Sequence, residues 1–85
     1  MVEITAVPEQ VTELHVWILV QRNGHERIIR GHVRHGDAAY PDQPLMSYRR
    51  DRAADMGWEA QRQVRKASRR HPGARAELRA YRVAP

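Results

Sequence analysis

Residues Glu13–Gln21 read ELHVWILVQ, Asn23-Gly24 follows almost at once, and Glu26–Arg34 reads ERIIRGHVR. The first run is rich in β-branched and aromatic residues, and Asn-Gly is the preferred pair for a two-residue type I′ turn. The stretch therefore predicts an antiparallel hairpin. Centring the turn on Asn23-Gly24 sets Leu14, Val16, Ile18 and Val20 opposite Val33, Gly31, Ile29 and Arg27, a largely apolar set expected to be the core face. The reverse face then pairs Glu13 with Arg34, His15 with His32, Trp17 with Arg30 and Leu19 with Ile28. It sets an acid against a base and a cation against an indole, which supports that register.

Working outward, Val2–Val7 alternates as a first strand and stops at Pro8. On the other side, His35–Ser47 holds Gly36, Pro41 and Pro44 and reads as a long connection. A helix follows, capped by Ser47 or Asp51 and stopped by Pro72-Gly73. Its apolar stripe is Ala53, Met56, Gly57, Ala60, Val64 and Ala67, small residues that let it lie close on a sheet. Ala74–Val83 alternates again, with Ala76, Leu78 and Ala80 on one side and Arg75, Glu77, Arg79 and Tyr81 on the other. The predicted fold is α+β, a two-layer sandwich of order βββαβ, with a mainly antiparallel sheet and one long helix packed on one face.

The 85 residues are expected to form a single domain, residues 1–85, burying only about 60–65% of the surface of the unfolded chain. With no cysteine and no phenylalanine, such a core depends on aliphatic packing, two tryptophans and three tyrosines. No apolar run approaches the ~18 residues of a membrane span, and Met1–Pro8 includes Glu3 and lacks a basic leader, so a cytoplasmic setting is expected.

Charge separates the last third of the chain from the rest. Ala60–Arg82 holds eight cations against Glu77 alone, a local balance of +7, whereas the whole chain carries +5. All but one of the fifteen cations are arginines, which a GC-rich codon bias explains without function; their clustering is what that bias leaves over. A field of this kind draws in a polyanion or an acidic protein surface. On a helical wheel Arg62, Arg65, Lys66 and Arg69 fall within about 100° of arc, opposite the apolar stripe and together with Trp58. Arg70 continues the series.

That pattern predicts a small non-enzymatic protein that binds nucleic acid through Trp58, Arg62, Arg65, Lys66, Arg69 and Arg70, with a base on the indole and phosphates on the cations. The competing reading is a solvated helix face with Trp58 folded over the Tyr40–Met46 connection. The reverse sheet face, with Trp17, Leu19, Ile28, Arg30 and Tyr81, is too apolar at its centre to be left wet and suggests a homodimer interface. Long arginine side chains laid over it would be the alternative cover. A dimeric interaction module, an accessory or inhibitor docking an acidic protein surface, is the second functional expectation.

No cofactor, small-molecule substrate or metal is implied. His15 and His32 face each other in the predicted register, but spacing supplies no third ligand and there is no thiolate. Asp51, Asp55 and Glu59 lie four apart near the helix start, where the macrodipole alone accounts for them. Ser47 and Ser68 lack a placed histidine and acid, so no enzyme is expected.

Overall fold

A computed structural model describes residues 12–83, and the strand expected over Val2–Val7 lies outside them. Over the described residues the chain is α+β, with mainly antiparallel pairing and two helices. In chain order these are β1 (Thr12–Val20), β2 (Glu26–Ile28), β3 (Arg30–His35), β4 (Ala38–Pro44), β5 (Met46–Ser47), α1 (Arg50–Asp55), α2 (Gly57–Ala67) and β6 (Arg75–Val83). Strand β1 is central: β6 runs antiparallel to its whole length from Thr12↔Val83 to Val20↔Arg75, while β2 and β5 share its other edge.

The β1–β2 hairpin forms, but one residue out of the expected register. A type I′ turn needs positive φ at both central residues, and here Gly24 alone has it, at 89°. Gly24 N–H donates to Gln21 O at 2.9 Å and Gln21 N–H to His25 O at 2.8 Å, which makes a three-residue loop with Gly24 as the left-handed bulge residue. Val20 therefore opposes Glu26, and Ile18 opposes Ile28. A slip of one residue turns the second strand over, so Ile28 shares a face with Ile18 and not with Leu19. The expected pairs of Trp17 with Arg30 and His15 with His32 do not form.

After Ile28 the second strand leaves β1. Ile29 N–H donates to Trp17 O, Trp17 N–H to Leu45 O, and Leu45 N–H to Ile29 O, each at 2.9 Å. This three-way junction fixes two fully buried side chains, Ile29 and Leu45, at the root of a ribbon formed by β3 and β4. The ribbon corrects the expectation of an unstructured 35–47 connection. Gly36, with φ 61° ahead of Asp37, opens the two-residue turn between His35 and Ala38 in the II′ pattern. Pro41 and Pro44 are tolerated because β4 is an edge strand, and a shift between Gly31 and Val33 absorbs the irregularity near Asp42, which has φ 52°.

Both helices cover the face of β1 that carries Trp17 and Leu19, the opposite of the face expected to be the core. Leu19, Ile29, Val33, Leu45, Ala60 and Val64 form the buried cluster there, with Trp17, Met56, Ala67, Ala74 and Ala76 packed around it. Trp17 satisfies its indole N–H on Ala53 O at 2.7 Å, and its ring lies over Gly57 so closely that a β-carbon there would stand 3.1 Å from Cζ2. The predicted single helix is two helices, joined at Met56, whose N–H bonds Ala53 O at 3.1 Å while its carbonyl accepts from Ala60 N–H. No side chain caps α1; Ser47 Oγ accepts from Arg49 N–H, and Asp51 sits in the first turn.

The other face of β1 is apolar too, and Val16, Ile18 and Val20 are buried on it beside Leu14 and Met46. Arg79 stands opposite Val16 yet bonds Glu26, which stands opposite Val20 on β2, so its side chain passes over Ile18. Its guanidinium bonds Glu26 at 2.6 and 2.8 Å and Glu77 at 3.0 Å. These bonds hold the Glu26 carboxyl below its ordinary value and raise Arg79. The long cationic stem thus shields aliphatic surface while its head stays in an ionic lattice.

Candidate functional site

Helix α2 presents its buried side through Ala60 and Val64, which leaves the opposite arc to solvent. Trp58 stands on that arc 74% exposed. Arg65, Lys66, Arg69 and Arg70 are exposed, and none makes an ion pair among the described residues. Arg69 and Arg70 lie just past the helix end at Ala67, in turns whose N–H groups bond Lys66 O and Ala67 O. From Trp58 to Arg69 the stripe extends about 16 Å at about 1.5 Å per residue.

Arg62 differs from its neighbours on the wheel. Its Nε and Nη2 donate to Glu59 at 2.6 and 2.9 Å, a bidentate pair one helical turn apart. The Glu59 carboxylate also accepts from His32 N–H at 2.7 Å and Gln63 Nε2 at 3.0 Å. It therefore ties α2 to β3, and it does so by lying directly over Gly31, where an added β-carbon would fall 2.9 Å from Glu59 Cγ. Arg62 holds the Glu59 carboxyl at about 2, far below its ordinary 4.5, helped by the His32 and Gln63 hydrogen bonds and opposed by burial.

A pH dependence follows from that carboxylate, whose side chain is only 12% exposed. A folded value below the unfolded one stabilises the domain at pH above about 4.5 and loses that contribution as pH falls toward about 2. The full span is worth about 3 kcal/mol. Urea unfolding of wild type and Glu59→Gln between pH 6 and pH 2.5 checks it: the two are expected to differ by about 2–3 kcal/mol at pH 6 and to converge in acid. A constant difference across the range would assign the loss to packing alone.

Beside Trp58 runs an open groove of about 380 Å³, lined by His32, Val33, Arg34, Arg52, Asp55, Met56 and Glu59 as well as Trp58. A second hollow of about 320 Å³ shares Val33, Arg52 and Met56 with it and continues to His35, Tyr40 and Met46. Arg52 separates them, with Nη2 on Arg34 O at 3.2 Å and on His35 Nδ1 at 2.6 Å. The alternative of Trp58 folded over the Tyr40–Met46 segment does not hold, since Trp58 is the most exposed large apolar side chain described.

The expected sheet interface is dispersed. Leu19 is buried and Trp17 half-buried beneath the helices, Ile28 and Tyr81 lie on the far face of the sheet at 43% exposure each, and Arg30 bonds Asp42 on the ribbon. The physical reason is the register slip together with the choice of the Trp17 face by the helices. His15 is buried near Glu13, while His32 belongs to the ribbon.

Two features of this surface escaped the sequence reading. The pairing of Glu59 with Arg62 was signalled by their spacing of three on a helix. The approach of Arg22, in the β1–β2 turn, to Gly73 beyond α2 left no local signal. No helix among the described residues is long and apolar enough to cross a membrane. No family model matches the chain, and neither a curated protein nor a solved structure matches it significantly.

Proposed function

We propose that this protein is a non-enzymatic nucleic-acid-binding domain that holds a single strand along the exposed arc of α2. The observation that carries the reading is the 74% exposure of Trp58 on the arc of α2 that holds Arg65 and Lys66, with Arg69 and Arg70 in the turns just beyond, all four without an acidic partner among the described residues. A large aromatic held in water beside uncompensated arginines costs solubility without adding to the core, and it offers a stacking surface next to a phosphate track. Trp58 takes a base; Arg65, Lys66, Arg69 and Arg70 take phosphates. Arg62 orders the start of the track through Glu59 and supplies less net charge than the others, because its charge is already compensated. The stripe's length of about 16 Å suits a few nucleotides of a single strand.

Two observations weigh against the sheet interface of the second reading, a dimeric module docking an acidic protein: Leu19 is buried under the helices and Trp17 is half-buried there. The test is titration with single-stranded DNA, single-stranded RNA and duplex DNA at several salt concentrations. Four phosphate contacts on a single strand predict a slope of log affinity against log salt of about −3, and single strands bind more tightly than duplex. Absence of binding at low salt contradicts the proposal.

A further inference from the structure

At the far end of α2 a small notch of about 200 Å³ opens between two elements distant in sequence, lined by Gln21, Arg22 and Asn23 of the β1–β2 turn and by Arg70, His71 and Pro72. We infer that this notch is a phosphate-binding site built from Arg22, Arg70 and His71. The inference takes the polymer from the proposal above but stands on separate observations.

The first is chemical. The lining includes two arginines, a histidine and two amides and no carboxylate, and neither arginine makes an ion pair among the described residues. Two arginines that line one notch without an acid make it electropositive, which an anion seated there offsets.

The second is positional. Cations at a helix C-terminus are favoured by the macrodipole, which accounts for Arg70 and His71 but not for Arg22, which arrives from another element. Nor does Arg22 cap the helix end: Val64 O accepts from Ser68 N–H, Lys66 O from Arg69 N–H and Ala67 O from Arg70 and His71 N–H, and none of the three accepts from Arg22.

The third is that Arg22 is placed by the backbone. Gly73 has φ 86°, and the space where its side chain would be holds the stem of Arg22, with Cδ 3.4 Å and Cβ and Cγ 3.7 Å from an added β-carbon. The left-handed turn after Pro72 thus forms a shelf that carries the stem of Arg22 at the notch it lines with Arg70. A phosphate seated there accepts from both guanidiniums and from a ring N–H of His71, and it lies beyond Arg69 of the stripe. The notch therefore gives the phosphate at Arg70 a second guanidinium, that of Arg22, and turns the strand off the helix onto the β1–β2 turn.

Two titrations test this. In the first, inorganic pyrophosphate is added to the full chain at constant ionic strength and followed by amide NMR. Saturable shifts are expected at Arg22, Asn23, His71 and Gly73. Arg22→Gln and Arg70→Gln should each weaken them at least tenfold, and Arg50→Gln, an exposed cation on α1 away from the stripe and the notch, should leave them unchanged. Shifts no larger than those from matched chloride, or equal weakening by Arg50→Gln, overturn the inference. In the second, the salt slope for a single-stranded oligonucleotide is expected to drop by about 0.7 in Arg22→Gln. Oligonucleotide binding with an unchanged slope and no pyrophosphate site overturns the notch and leaves the proposed function standing. Pyrophosphate binding without oligonucleotide binding does the reverse.

Discussion

Alanine at position 45 is expected to lower the stability of the domain by about 3–5 kcal/mol, enough to leave a chain of this size largely unfolded near 37 °C. Leu45 is fully buried, in the cluster with Leu19, Ile29, Val33, Ala60 and Val64. Its backbone also closes the junction between β1 and the ribbon, through Trp17 N–H to Leu45 O and Leu45 N–H to Ile29 O. The neighbours that line the resulting cavity are held by those bonds and by the α2 packing, so they collapse into it poorly. Ile28→Ala, on a side chain 43% exposed, is the matched control and should cost about 1 kcal/mol or less. Urea unfolding of both variants measures the contrast. A loss below about 1 kcal/mol in Leu45→Ala would show that the ribbon is not anchored at this junction.

Much of this packing was legible in the sequence, and the parts that were not have identifiable physical causes. The central strand announced itself because Glu13–Gln21 is dense in β-branched residues, but its apolar character on both faces left alternation unable to say which face meets the helices. Trp17 decides that choice, since its indole N–H needs an acceptor and finds it at Ala53, a contact between positions 36 residues apart. Asn23-Gly24 correctly marked a hairpin, and only the backbone conformation of Asn23 decided between a two-residue and a three-residue loop. The small-residue stripe of Ala53, Ala60 and Val64 was readable from periodicity because a helix face is set locally. The ribbon was missed because Pro41 and Pro44 read as breakers, a rule that does not hold on an edge strand.

The candidate surface divides in the same way. Which residues share the outer arc of α2 is a matter of helical geometry, so Trp58, Arg65 and Lys66 could be grouped from their spacing. How much charge the arc keeps is a tertiary matter. Glu59 compensates Arg62, while on β6 Glu77 engages Arg75 and Arg79, and Glu26 engages Arg79 from β2. The excess that looks like one basic segment in sequence is thus a paired lattice on one side of the sheet and a stripe along α2 and the turns after it that is unpaired among the described residues.

Reversing that stripe should have the largest effect on binding. Arg65→Glu, Lys66→Glu and Arg69→Glu together are expected to abolish detectable oligonucleotide binding at salt near 100 mM and to bring the salt slope close to zero at lower salt. The substituted positions are exposed and unpaired among the described residues, so the fold is retained, with a cost of about 1–2 kcal/mol from placing acids near the negative end of the α2 dipole. Circular dichroism and the melting temperature verify that the chain is still folded. If the folded triple variant binds a single strand as the wild type does, the α2 arc is not the contact surface.

The most direct measurement is a proton–nitrogen NMR spectrum of the full chain before and after addition of a short single-stranded oligonucleotide at low salt. The two indole N–H signals report separately: Trp17 is bonded to Ala53 O beneath the helices, while Trp58 stands in water. Stacking of a base on α2 predicts that the Trp58 signal shifts together with the amides of Arg65, Lys66, Arg69 and Arg70, while Trp17 stays in place. A spectrum in which Trp58 does not move, or in which the shifts fall on the far face of β6, contradicts the account.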